Sequence, residues 1–312
     1  MPYTHQFVRD LAWLFSSPPI LNFGNAFNRL PLEKSWLDEL DNNPQQLTEH
    51  LSSKNLKMLG PYFEALWEFY FIYYPKVELV AKNLQVFDGG KTIGEFDFIY
   101  RELETNKVFH LEVAVKYYLG NARAINGIQE SAGLDLTDAQ AQCLWVGPGT
   151  RDRLDRKARK LAQHQSQLSS NEAGIAALRR VGVREVTSQV CLLGYLFYPT
   201  EYEMDKPTGA NSNHLRGCWM RLNDIQYHLK RESRFAILDK PHWLAPVAPE
   251  GLELLDQAQL VEELSHQFAE IPHPRLIAEF TQVANKSSEP DQCFARLSSE
   301  FYFITPESWP KR

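Results

Sequence analysis

Three strand-like runs separated by short turns, directly after a helix of almost wholly apolar and aromatic residues, limit what this chain can fold into. The runs are VELVAKNLQVF at 77–87, GEFDFIYR at 94–101 and VFHLEVAVKYY at 108–118, each with the β-branched and aromatic content of a strand. Each gap reads as a hairpin. The first turn, DGGKTI, has paired glycines able to take positive φ, and the second is ETNK. The preceding helix begins at Pro61, with proline in the favoured first turn, and ends before Pro75. It is aromatic on nearly every side and is therefore expected to be buried.

The flanking pattern extends this core in both directions. Residues 1–57 alternate short helical patterns (FVRDLAWLF, LEKSWLDEL, PQQLTEHLSS) with Pro and Asn breaks, as in a packed helical lead-in. Downstream, RDRLDRKARKLAQHQSQLSS predicts one basic helix over 151–170, with Leu154, Ala158, Leu161, Gln165 and Leu168 on one face and the charges opposite. REVTSQVCLLGYLFYP at 184–199 suits a strand covered on both faces. The C-terminal third holds GCWMR, a helix-like run around 222–232, ILDKPHWLAP, another helical stretch and a final strand FYFIT, with 200–213 as a loop. The expectation is an α/β chain in three parts: a helical segment at 1–57, a core at 58–200 and a mixed region at 201–312 packed on it.

Composition narrows the function. The 312 residues are 44% hydrophobic and 23% charged, enough apolar content to bury a real core. The formal charge of −6 is uneven, because residues 151–240 carry a net +6 between flanks of −6 each. Overall acidity argues against coating nucleic acid by bulk charge, yet a local basic segment can still supply phosphate contacts. Cys143, Cys191, Cys218 and Cys293 are far apart with no CxxC pair, which reads as reduced thiols rather than a zinc site. No signal segment or membrane span is visible, so a cytoplasmic setting and no membrane partner are expected. No GxSxG, Walker-type loop, GxGxxG or HExxH motif occurs.

Strand alternation directs attention to a few charges. In GEFDFIY, Glu95 and Asp97 are expected on one face and Phe96, Phe98 and Tyr100 on the other; in the next strand His110, Glu112, Ala114 and Lys116 share a face. If the polar faces coincide, Asp97 and Glu112 sit side by side, an unfavourable pair unless a cation intervenes. Hard carboxylate oxygens suit Mg²⁺ or Mn²⁺, and Lys116 is then placed to stabilise developing negative charge. The same alternation also describes any antiparallel sheet with one wet face. Glu95 reads either as a third ligand or as an exposed strand residue. His110 is a candidate base or ligand, and Gln165 an amide interrupting an apolar helix face. Arg153, Lys157 and Lys160 are candidate phosphate contacts, though Asp152 and Asp155 interleave them. Gly94 allows close approach of another backbone or a ligand.

The order helix, three strands, helix, strand over residues 61–199 resembles the PD-(D/E)XK nuclease superfamily. More narrowly the chain is similar to a bacterial family called domain of unknown function 1853, grouped with those nucleases. That likeness is carried by LGPYFEALWEFY, GEFDF, HLEVAVKYYL, VGPGTRDRLDRKARKLAQHQ, GYLFYP, HLRGCWM and FYFITPESWP. The resemblance implies a restriction-endonuclease-like core and a Mg²⁺- or Mn²⁺-dependent site for cleaving a DNA or RNA phosphodiester. In it Asp97 and Glu112 are metal ligands and Glu64 is the acidic residue of the first helix. The lysine departs from the pattern: the position two residues after Glu112 is Ala114, and Lys116 comes two residues later. Two readings follow, an active hydrolase with Lys116 reaching back, and a non-catalytic descendant that binds nucleic acid or a protein partner.

Overall fold

The computed structural model describes residues 3–27, 32–54, 56–122, 138–165, 168–281, 298 and 300–310, and structural statements concern these residues. The three short N-terminal patterns become α1 (Gln6–Ser16), α2 (Lys34–Asn42) and α3 (Gln45–Ser52). Asp41 closes the start of α1 by accepting the backbone N–H groups of Thr4 and His5 at 2.9 and 2.8 Å, supplying acceptors that a helix end leaves wanting. The aromatic helix is α4 (Leu59–Tyr73), with Tyr62, Phe63, Trp67, Phe69, Tyr70 and Phe71 all buried, as its lack of a polar face requires. Tyr62 donates its hydroxyl to buried Asp10 of α1 at 2.6 Å.

The meander forms as expected: β1 (Val77–Asp88), β2 (Lys91–Glu102) and β3 (Val108–Gly120). Gly89 and Gly90 turn the first hairpin with φ of 54° and 80°. After α5 (Asp138–Cys143) and β4 (Trp145–Val146) comes a correction to the expected long basic helix. It is divided into α6 (Leu154–Arg159), a π-helical turn at Lys160–Gln165 and a 3₁₀ turn at Leu168–Ser170. Leu154, Leu161 and Leu168 are buried as read from the pattern, but the wider π turn breaks the 3.6-residue period between them. α7 (Glu172–Arg180), not foreseen as a separate helix, starts at Asn171, whose side chain accepts the Gly174 N–H at 2.6 Å. β5 (Thr187–Pro199) is buried from Gln189 onward.

The C-terminal region supplies β6 (Leu215–Arg221), β7 (Arg234–Leu238), α9 (Gln257–Glu270), β8 (Arg275–Phe280) and β9 (Glu300–Thr305). The helix expected around 222–232 shrinks to a 3₁₀ turn and α8 (Ile225–His228), because Leu229 turns extended to bury its side chain. β8 is a strand that the sequence pattern does not announce. The strand order is β1-β2-β3-β5-β6-β9-β8-β7, with β4 on β3. β5, β6 and β9 run parallel, whereas β1 to β3 and β7 to β9 pair antiparallel. This is a mixed α/β fold.

The chain divides into two compact units. One comprises Met1–Lys116, Arg156–Gly194 and Gly209–Asn213; the other comprises Tyr117–Asp155, Tyr195–Thr208 and His214–Arg312. The first has α4 on the meander, with a second apolar cluster of Val86, Phe96, Ile99, Leu168, Ala177, Leu178 and Val183 under α7. The second holds a core of Met220, Ile225, Phe235, Leu260, Leu264, Ile277 and Ile304. Among the described residues no helix is long and apolar enough to cross a membrane.

Candidate functional site

The site lies in the first unit, where β2 and β3 diverge from regular pairing. Their register runs from Arg101↔Val108 to Phe98↔Leu111. One step further places Asp97 opposite Glu112, and there a side chain replaces the main-chain ladder: Asp97 Oδ2 accepts the Val113 N–H at 3.0 Å. The strict alternation expected for GEFDFIY does not survive this point. Phe98 and Tyr100 pack on Phe71 of α4, with ring centroids 5.3 and 4.6 Å away. Phe96 instead joins the Val86 and Ile99 cluster and meets the His110 ring edge-on at 4.6 Å.

Glu112 is fully buried. Its Oε1 accepts from His110 Nε2 at 3.0 Å, while Oε2 has no hydrogen-bond partner. An unsatisfied, buried carboxylate oxygen is costly unless something else meets it. Asp97 is the acid that faces it, and each carboxyl acts on the proton affinity of the other. Burial, reinforced by the Glu112 charge, pushes Asp97 from 3.8 up to about 7. Burial likewise pushes Glu112 from 4.5 up to about 7. The pair titrates as a unit. Burial lowers His110 to about 4, so its imidazole is neutral at pH 7 and donates Nε2–H to Glu112. Its Nδ1 faces Ser188 Oγ at 3.5 Å, and Ser188 is hydrogen-bonded to Ser169 at 2.8 Å.

Two further acids stand within electrostatic reach. Glu64 on α4 is half-buried, and its carboxyl is raised first by burial, then by Asp97, with Glu95 and Glu68 adding and Lys82 opposing. Glu68 itself is tied down, accepting from Lys54 at 2.6 Å and Lys82 at 2.9 Å. Glu95 acts on both Glu64 and Glu112 through its charge. Among the described residues no group of three or more His, Cys, Asp or Glu is gathered for an ion, so the tight unit is the Asp97–Glu112 pair. That pair fits a small hard cation, which takes one or two protein carboxylates and keeps water on its other positions.

Lysine charge reaches Glu112 from a segment other than its own strand. Lys157 and Lys160, from α6 and the π turn, act on Glu112 through their charge. Lys157 is half-buried and feels both Asp97 and Glu112; burial, Lys116 and Lys160 lower its affinity for the proton. Lys116, on the Glu112 strand, acts on Lys157 through its charge. Arg153 is engaged elsewhere, its guanidinium forked onto buried Asp155 at 2.9 and 2.7 Å. The Gln165 side chain lies outside the described residues. Gly94 faces the methyl carbons of Leu168, which lie 3.0 and 3.1 Å from where its Cβ would point.

A family model described as a domain of unknown function, DUF1853, matches residues 9–295. The chain belongs to the DUF1853 family. No curated protein and no solved structure matches it. Within the DUF1853 segment lie Glu64, Glu95, Asp97, His110, Glu112 and the lysine cluster, so the whole candidate site belongs to the family domain.

Proposed function

We propose that this DUF1853 chain is a Mg²⁺- or Mn²⁺-dependent nuclease, its site carried on a restriction-endonuclease-like core of α4, β1 to β3, α6 and β5. The observation that carries the reading is the pair of half-buried Asp97 and fully buried Glu112 with Lys157 beside it. Two carboxyls held together against their mutual repulsion, one with a vacant buried oxygen, are uneconomical for a fold alone. Perturbed acids of this kind mark sites where chemistry is done. The fold-class support is the order of elements and the placing of β5 next to β3.

Asp97 and Glu112 would hold the cation, which when bound polarises a phosphodiester and acidifies water. The rest is the work of the chain itself. Lys157 brings positive charge to where a phosphate must gain negative charge, and half-burial strengthens that interaction. Lys116 and Lys160 add to the local positive potential and steer an anionic strand to the site. The Glu64 carboxyl, whose proton affinity burial and the Asp97 charge raise, can accept a proton at its own oxygens. The neutral imidazole of His110 holds Glu112 without cancelling its charge.

A panel of single- and double-stranded DNA and RNA with Mn²⁺ tests this. Cleavage by the wild type that EDTA stops, and that falls at least a hundredfold on Lys157→Met or Asp97→Asn, is the expected result. The second reading, a non-catalytic nucleic-acid binder, draws on the lack of a three-acid group among the described residues. It predicts salt-sensitive binding in EDTA that survives Asp97→Asn, with no cleavage by the wild type.

A further inference from the structure

We infer that His110 determines which cation the site accepts: by holding one oxygen of Glu112 it limits that carboxylate to a single free oxygen, favouring a small octahedral ion over Ca²⁺. The inference rests on the metal-site reading above. Each of the two acids has one oxygen already engaged. Asp97 Oδ2 is taken by the Val113 N–H at 3.0 Å, and Glu112 Oε1 by His110 Nε2 at 3.0 Å. What remains toward a cation is Asp97 Oδ1 and the unpartnered Oε2 of fully buried Glu112. Ca²⁺ prefers six to eight oxygens and readily takes both oxygens of one carboxylate, whereas Mg²⁺ and Mn²⁺ need few protein oxygens and retain water.

His110 is well placed to enforce this. Its ring is 0% exposed, braced edge-on by Phe96, and its far nitrogen faces Ser188, which Ser169 holds in turn. A hydrogen-bonded second layer of this kind orients a ligand and tunes its metal. His110 is thus a positioning residue, in contact with Glu112 and not with the ion.

Calorimetric titration of the full chain with Mn²⁺ and with Ca²⁺ at about pH 8 tests the assignment. The wild type is expected to bind Mn²⁺ at least about tenfold more tightly than Ca²⁺. His110→Phe keeps a ring against Phe96 but no donor; it frees Oε1 and brings the two affinities within about threefold by improving Ca²⁺ binding. His110→Gln keeps an N–H and retains the wild-type ratio. A folded His110→Phe with an unchanged ratio overturns the inference and leaves the metal-site reading standing. No Mn²⁺ binding by the wild type removes both. Should His110→Phe not fold, NMR of the wild-type ring nitrogens decides: Nε2 keeps its proton in the Mg²⁺-saturated protein, and loss of that proton would make His110 a ligand and overturn the inference.

Discussion

Glu112→Gln stabilises the folded chain at about pH 8 by on the order of 2 kcal/mol and changes its stability at about pH 4 very little. The reason is the pairing of half-buried Asp97 with fully buried Glu112. Asp97 and Glu112 hold protons up to about 7 in the folded chain, against ordinary values of 3.8 and 4.5. Between these limits the folded state binds more protons than the unfolded one, so stability falls as pH rises from about 4 to 7 and stays low above it. Glutamine removes one of the two charges, keeps an oxygen for the His110 N–H, and offers Asp97 an amide donor. Urea unfolding of wild type and variant at both pH values reads the effect. A Gln variant less stable than wild type at pH 8 would contradict the account. The same substitution is expected to weaken Mn²⁺ binding, the exchange of stability for function that active sites show.

The second large effect is at Gly194, in the middle of β5. Its φ is +134°, and a Cβ there would lie 1.7 Å from the Lys116 carbonyl oxygen of β3. Backbone cannot yield as a side-chain tip can, so Gly194→Ala forces either strand displacement or loss of the φ, at about 4 kcal/mol. Against the 5–15 kcal/mol typical of whole domains, that is expected to leave little soluble protein. Gly182 is the control, with φ +77° and nothing within 4 Å of its built Cβ. Gly182→Ala meets strain without a clash and is expected to cost about 1 kcal/mol. Equal urea midpoints for the two variants would show that the close approach at Lys116 is not as described.

The meander was legible because its signals are local. Two turns with glycine or asparagine in positive φ, and three runs of strand-forming residues, suffice without knowledge of distant partners. From that register follows the adjacency of Asp97 and Glu112, and with it the core of the candidate site. What failed was whatever depended on packing. The π turn at Lys160–Gln165 has no local sequence signature, and it carries Lys160 to Glu112, which an ideal helix over 151–170 conceals. Lys157 is 45 positions from Glu112, and only the fold brings its charge to the carboxylates. Phe96 was assigned to the wrong face, since alternation assumes an unbroken ladder and the Asp97 side chain interrupts it. Ser188 and Ser169 carry no motif at all, and their place behind His110 emerges from tertiary contacts alone.

The central claim is that Asp97 and Glu112 form a cation site, and it can be tested without knowing a substrate. Mn²⁺ titrated by calorimetry into the wild type, Asp97→Asn and Glu112→Gln at about pH 8 is the most direct measurement. The account predicts saturable binding by the wild type and at least a tenfold loss in each folded variant, as removal of one of two carboxylates requires. Wild-type affinity retained in folded Asp97→Asn or Glu112→Gln, or no binding by the wild type, would contradict it.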